Sequence, residues 1–159
     1  MENEKVFRSR FSVLFIVILL AMFAPVIILT YKIIPIVVLT VGLFFFTVLA
    51  FSKIQYIISG DTLYFESVFY SWSVKISTIV SIKRSYNLMD YFPTNSTASF
   101  KKLKLQLMEP RNHPYSEDYF HVSPVREQEF IEILKTINPN IKVDVPDKKG
   151  IWRIWDWDI

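Results

Sequence analysis

Two apolar runs stand almost back to back near the start of this chain. FSVLFIVILLAMFAPVIILT covers residues 11–30, IIPIVVLTVGLFFFTVLAF covers residues 33–51, and only Tyr31 and Lys32 separate them. At about 1.5 Å per residue each run reaches close to the ~30 Å of a bilayer's hydrocarbon layer, so each is long enough to cross once as a helix. Between Phe11 and Phe51 the one charged residue is Lys32. Because irregular backbone is not tolerated in contact with lipid, the reading is a pair of antiparallel helices joined by a tight turn. Pro35 suits the first turn of its helix, whereas Pro25 is expected to kink or shorten the first one.

A cleaved signal peptide shares the pattern of a basic segment, here MENEKVFRSR, leading into an apolar run. Its apolar core normally spans roughly 7–15 residues and ends at an A-x-A-like site, and this run is longer and lacks such a site. Lys5, Arg8 and Arg10 precede the first run, Lys53 comes after the second, and Lys32 alone occupies the turn. The positive-inside bias then puts both termini in the cytoplasm of a two-span protein. Neither run holds Asp, Glu, His or Arg. An anchor is therefore expected rather than a transporter, which needs ionisable groups along its path.

Beyond the hairpin the chain reads as an ordinary water-soluble domain. From Lys53 onward there are 14 Lys and Arg against 13 Asp and Glu, so the strong basic surplus of a nucleic-acid binder is missing. The absence of cysteine excludes a disulfide framework, a Cys-ligated metal and a thiol nucleophile.

The period of the apolar residues changes to two after Lys53. IQYIIS and TLYFES flank a Ser59-Gly60-Asp61 turn, SWSVKI and IVSIKR continue the alternation, and FKKLKLQLM sets Leu103, Leu105 and Leu107 against Lys102, Lys104 and Gln106. YFHV is a last strand, and SYNLMDYFPTNSTAS, residues 85–99, is read as a long loop. Six or seven short strands at hairpin spacing argue for a small antiparallel barrel or sandwich. A helix is then expected from Ser123 as N-cap and Pro124 at N1, with Glu127 and Glu129 near the positive end of its dipole. Phe130, Ile131, Leu134 and Ile137 form one apolar stripe, and Asn138-Pro139 stops the helix. Such a helix caps an open end of the sheet, burying about four side chains at roughly 1.5–3 kcal/mol each.

The local motifs carry a resemblance. Tyr56, Ile58, Asp61 and Leu63, then Ser81-Ile82-Lys83 with Asn87, then Ala98-Ser99 with Leu103, and finally Val122-Ser123-Pro124, Phe130 and Asn138-Pro139-Asn140-Ile141 are similar to the pattern of bacterial membrane-anchored pleckstrin-homology-like (PH-like) proteins of the YyaB-like kind. The likeness spans about residues 54–143. It implies a mainly-β PH-like barrel or sandwich closed by one C-terminal helix, preceded by one or two spans. The Ser59-Gly60-Asp61 turn lacks the basic residues with which eukaryotic PH domains grip inositol phosphates, so the resemblance implies binding or scaffolding rather than inositide recognition. The expected division is a cytoplasmic segment over residues 1–10, the hairpin over 11–51, the PH-like domain over 53–143 and a Trp-rich tail over 144–159.

Candidate contact residues fall in three places. Lys101, Lys102 and Lys104 face either anionic headgroups or plain solvent on an edge strand, where lysines also discourage aggregation. Tyr91 and Phe92 lie in the long loop, whose length makes it a candidate recognition surface. Trp152, Trp155 and Trp157 sit in the tail KKGIWRIWDWDI, which folds back on its own domain, meets the bilayer interface or anchors a partner. His113 and His121 are the two histidines, and no Ser-nucleophile motif, HExxH or Gly-rich phosphate loop accompanies them. The expectation is a non-enzymatic module with no cofactor or metal, integral to the bacterial cytoplasmic membrane, that binds a protein partner or orders itself against the bilayer and takes no nucleic acid. A peptide-immunity protein and a small membrane enzyme are the other classes.

Overall fold

A computed structural model describes residues 4–68, 71–85, 97, 99, 101–108 and 118–146. The chain opens with strand β1 (Lys5–Arg8), passes through helices α1 (Val13–Thr30) and α2 (Ile34–Ser52), and continues as β2 (Gln55–Ser59), β3 (Thr62–Glu66) and β4 (Ser71–Lys75). A single 3₁₀ turn at Ile76–Thr78 leads to β5 (Ile79–Ser85), then come β6 (Lys102–Leu107), β7 (Tyr119–Val122), helix α3 (Glu127–Ile137) and β8 (Lys142–Asp144).

The strands make two four-stranded sheets, ordered β1-β2-β3-β4 and β7-β6-β5-β8. All neighbours are antiparallel except β8, which runs parallel to β5. Gly60, with φ of 55°, supplies the left-handed position of the turn between β2 and β3. Asp61 then accepts from the Ser77 backbone N–H at 3.0 Å and the Ser77 hydroxyl at 2.9 Å, tying this turn to the 3₁₀ turn.

Strand β1 changes the expected organisation. Residues 1–10 read as a lead-in to the hairpin, but Val6 pairs with Ile57 and Phe7 with Tyr56, so β1 is an edge strand of the first sheet. The α1–α2 hairpin is therefore an excursion between two adjacent strands of one sheet. Both of its legs leave from, and return to, the same end of the β-domain.

The inner faces of the sheets meet in one core. Tyr56, Leu63 and Phe65 from the first sheet lie against Ile82, Leu103, Leu105, Phe120 and Val122 from the second. Phe65 stacks on Trp72 with ring centroids 3.6 Å apart and meets the edge of Phe120 at 5.0 Å. Helix α3 closes the open side as the apolar stripe predicts: Phe130, Ile131 and Leu134 are buried and Ile137 packs against the same core. Phe7 meets Phe130 edge-on at 5.3 Å, so β1 contributes directly to the contact that seats the helix. Asn138 ends α3, and its buried amide donates to the carbonyls of Ile76 at 3.0 Å and Ile79 at 3.1 Å.

In the hairpin, α1 and α2 pack through Phe15 and Leu19 with Phe23, Phe44 and Val48 around them. Helix α1 runs on through Pro25 to Thr30, so the proline does not end it. Helix α2 is long and apolar enough to cross a membrane, and 11% of it is buried inside the molecule, unlike the mostly buried core helix of a soluble protein. The hydroxyls of Thr30, Thr40 and Thr47 return to the carbonyl four residues back, which satisfies them without water. Phe51 at the foot of α2 packs against both the hairpin cluster and the domain core.

Candidate functional site

The hairpin's roots and the β7–α3 connection converge on a cluster of hydroxyls. Tyr56, fully buried on β2, donates to Ser9 Oγ at 3.0 Å and accepts from the Ser123 backbone N–H at 3.1 Å. The Ser9 and Ser123 hydroxyls are 3.0 Å apart, and Ser123 also bonds the Thr97 hydroxyl. Burial pushes the Tyr56 phenol above its usual value of 10.0, with the hydrogen bonds from Ser9 and Ser123 opposing that shift. The cluster is a neutral, hydrogen-bonded knot, and it joins the residue before the hairpin to the strand after it.

Backbone contacts reinforce the knot. Ser9 N–H donates to Ile54 O at 2.9 Å, Arg10 N–H to Ser123 O at 2.6 Å and Val125 N–H to Arg8 O at 3.0 Å. The Arg10 guanidinium adds bonds to the carbonyls of Pro124 at 3.1 Å and Val125 at 3.3 Å. These contacts correct the expected helix start. Ser123 and Pro124 lie outside the helix, Pro124 bridging to Ser9, and α3 begins at Glu127. The Ser123 hydroxyl is used in the knot and does not cap the helix. A four-residue sequence pattern cannot register such a long-range competitor.

Beside the knot, Arg84 on β5 makes a two-pronged ion pair with Glu127 in the first turn of α3, both N···O distances being 2.5 Å. The side chains are 4% and 14% exposed, so the pair is largely withdrawn from water. Glu127 thereby serves the helix dipole and the sheet together.

The pairing registers fix which residues surround the hairpin's roots. Arg8 opposes Gln55, Gln55 opposes Glu66, Ser85 opposes Lys102 and Leu103 opposes Val122. The hairpin end of the domain therefore carries Arg8, Arg10, Lys53, Lys101 and Arg126, with Val68 and Val125 half exposed among them. Three acids described at this end are engaged: Glu66 with Gln55 at 2.7 Å, Glu127 with Arg84, and Glu129 with Arg126 at 2.9 Å. The Arg8 and Lys53 side chains have no hydrogen bond or ion pair among the described residues.

The lysines named from the sequence separate. Lys101 stands at the hairpin end, half buried. Lys102 is 1% exposed, which corrects its placement on a solvated face or at headgroups. Strand β6 is also an inner strand, flanked by β5 and β7, and not the expected sheet edge. Lys104 points outward further along β6, opposite both Lys83 and His121, with its ammonium 3.4 Å from the centroid of the Tyr119 ring. Tyr91, Phe92, Trp152, Trp155, Trp157 and His113 lie outside the described residues. His121 is buried in β7, and Asp118 bonds the Gln106 amide at 2.7 Å.

The family model for the bacterial PH domain matches residues 54–138, more than half the chain, from the start of β2 to the stop of α3. The chain belongs to this family. No curated protein matches it. In this bacterial PH-domain protein, strand β1 and the hairpin both precede the matched region, yet β1 completes the sheet that the matched region begins. The Ser59-Gly60-Asp61 turn, read from the sequence as the domain's first, joins its second and third strands and points away from the hairpin.

Proposed function

We propose that this protein is a non-enzymatic binding module of the bacterial cytoplasmic membrane, in which a two-span hairpin holds a PH-like domain against the cytoplasmic face. The observation that supports it is the pairing of β1 with β2. Strands that share a ladder lie on one side of a membrane, so the chain between Arg8 and Gln55 crosses an even number of times. With α2 long enough to span and α1 packed along it, two crossings meet that condition. The charge distribution, with Lys5, Arg8, Arg10 and Lys53 at one end and Lys32 at the other, favours a cytoplasmic domain.

On this reading a protein partner is met through Tyr91, Phe92, Trp152, Trp155 and Trp157. Photo-crosslinking from Trp155 and Tyr91 in the native host identifies it as discrete protein adducts. The topology is tested with single cysteines, because the chain has none of its own. A membrane-impermeant maleimide on intact cells labels Tyr31→Cys, at the hairpin tip, and reaches Asp61→Cys only after permeabilisation. Labelling of Asp61→Cys in intact cells, or protection of Tyr31→Cys, contradicts the reading.

A further inference from the structure

We propose that the hairpin end of the β-domain seats on an anionic lipid leaflet, with Arg8, Lys53 and Lys101 against headgroup phosphates and Val68 and Val125 entering the interface between them. The inference rests on the hairpin being inserted in the membrane, and it adds that the domain docks on that membrane rather than hanging free from it.

Position carries the first part of the argument. Lys53 directly follows α2, and Arg8 precedes Ser12, the residue before α1, by four positions. At roughly 3.3 Å per residue Arg8 is at most about 13 Å from the start of the helix, close to the ~8–10 Å over which salt screens a charge. Lys101, Val68 and Val125 share this end through the registers of β6 with β5, β3 with β4, and the Val125 bond to Arg8. A domain whose two hairpin roots are knotted to its sheets cannot swing these residues far from the bilayer.

Charge carries the second part. Among the described residues Glu127 and Glu129 at this end are paired with arginines and Glu66 bonds the Gln55 amide, while the Arg8 and Lys53 side chains have no partner. Arg8 and Lys53, unpaired among the described residues and interleaved with valines 51% and 50% exposed, match a surface that is anionic outside and apolar just beneath. Arg10 and Arg126 serve the fold instead, through carbonyls of Pro124, Val125 and Val6.

The test places an environment-sensitive fluorophore on single cysteines of the full chain in nanodiscs, at Val68 on the rim, at Phe45 in the hairpin and at Lys75 at the far end. Zwitterionic lipid is compared with lipid containing phosphatidylglycerol. The expected result is a blue shift at Val68→Cys in anionic lipid alone, reversed by high salt, with Lys75→Cys unchanged and Phe45→Cys blue-shifted throughout. Each basic residue beside an anionic leaflet is worth about fivefold in the seated population, so R8Q/K53Q/K101Q together lower it by on the order of 100-fold. Salt reversal on the unsubstituted basic residues gives the same answer if the triple variant fails to fold. A Val68 signal identical in both lipids, with Phe45 still in lipid, overturns the docking proposal and leaves the anchor intact. A water-like Phe45 signal overturns the anchor, and the docking with it.

Discussion

The Tyr56 hydroxyl donates to Ser9 Oγ at 3.0 Å, and Tyr56 stands opposite Phe7 across the β1–β2 ladder. Residues on either side of the hairpin are thus neighbours in one sheet and partners in one hydrogen-bonded knot. The hairpin is a loop of the domain, and the first sheet is incomplete without the strand that precedes the hairpin.

Substitution of Tyr56 by Phe removes a buried donor and leaves the Ser123 N–H without its acceptor. The expected cost is about 1–3 kcal/mol, read as a lowered denaturation midpoint of the full chain in a mild detergent. The variant also changes the pH response. Burial holds the folded phenol above its unfolded value, so the neutral form is favoured by folding. Its contribution is complete below the unfolded value of 10.0 and declines as pH rises beyond it, because the unfolded chain then ionises first. As pH is raised through the usual tyrosine value of about 10, the native protein is expected to lose more stability than Tyr56→Phe.

Phe7 is 1% exposed and meets Phe130 and the Arg126 guanidinium. Phe7→Ala is expected to cost about 3–5 kcal/mol, a large share of a small domain's stability. Removing residues 1–52 outright leaves β2 as an open edge and the core missing that ring. Such a truncated domain is expected to aggregate, whereas a chain in which a flexible linker replaces residues 11–52 retains β1 and unfolds cooperatively. Size-exclusion chromatography and thermal unfolding of the two separate these outcomes.

Arg84 and Glu127 bury a matched pair, and removing one member leaves an uncompensated charge. Glu127→Gln is expected to cost about 3–5 kcal/mol, while Arg84→Met combined with Glu127→Leu is close to neutral. Arg84→Lys does not rescue, because an ammonium cannot make the two-pronged contact. A double-mutant cycle by chemical denaturation gives the coupling directly.

Asn138 donates from one amide to the carbonyls of Ile76 and Ile79 and receives the Asn140 N–H on its other side, at 3.2 Å. Asn138→Ala strands those buried groups for about 1–3 kcal/mol, and Asn138→Asp, which lacks the amide donors, is expected to be no better. Comparative melting of the two variants checks this.

Much of the fold is legible because it is encoded locally. The apolar runs of the hairpin, the period-two strands on either side of Gly60, the Phe130–Leu134 stripe and the Asn138 stop each depend on residues within a few positions of one another. The misses share the opposite cause. KVFR is four residues long with one inward side chain, Phe7, and its partner strand begins only after residues 9–54, so no nearby pattern marks it as a strand. Ser123 has the sequence of a helix cap, but Ser9 and Tyr56 arrive from the distant chain and claim it. Lys102 fits the alternation of β6 as a surface lysine, and only the packing around β5 and β6 buries it. The hydroxyl knot has no motif at all, since Ser9, Tyr56, Thr97 and Ser123 are polar residues scattered over four segments.

The hairpin is a loop of the domain only if β1 and β2 lie side by side across it, and engineered disulfides report on that pairing. Val6 and Ile57 are register partners on the outer face of the first sheet, as are Ile57 and Tyr64. With no native cysteine to interfere, the pairs V6C/I57C and I57C/Y64C are oxidised separately in isolated membranes and the bridged peptides identified by mass spectrometry. Both pairs are expected to bridge within the same chain, with comparable efficiency. Bridging of I57C/Y64C without V6C/I57C would put residues 5–8 outside the sheet, and the hairpin would then no longer be a loop of the domain.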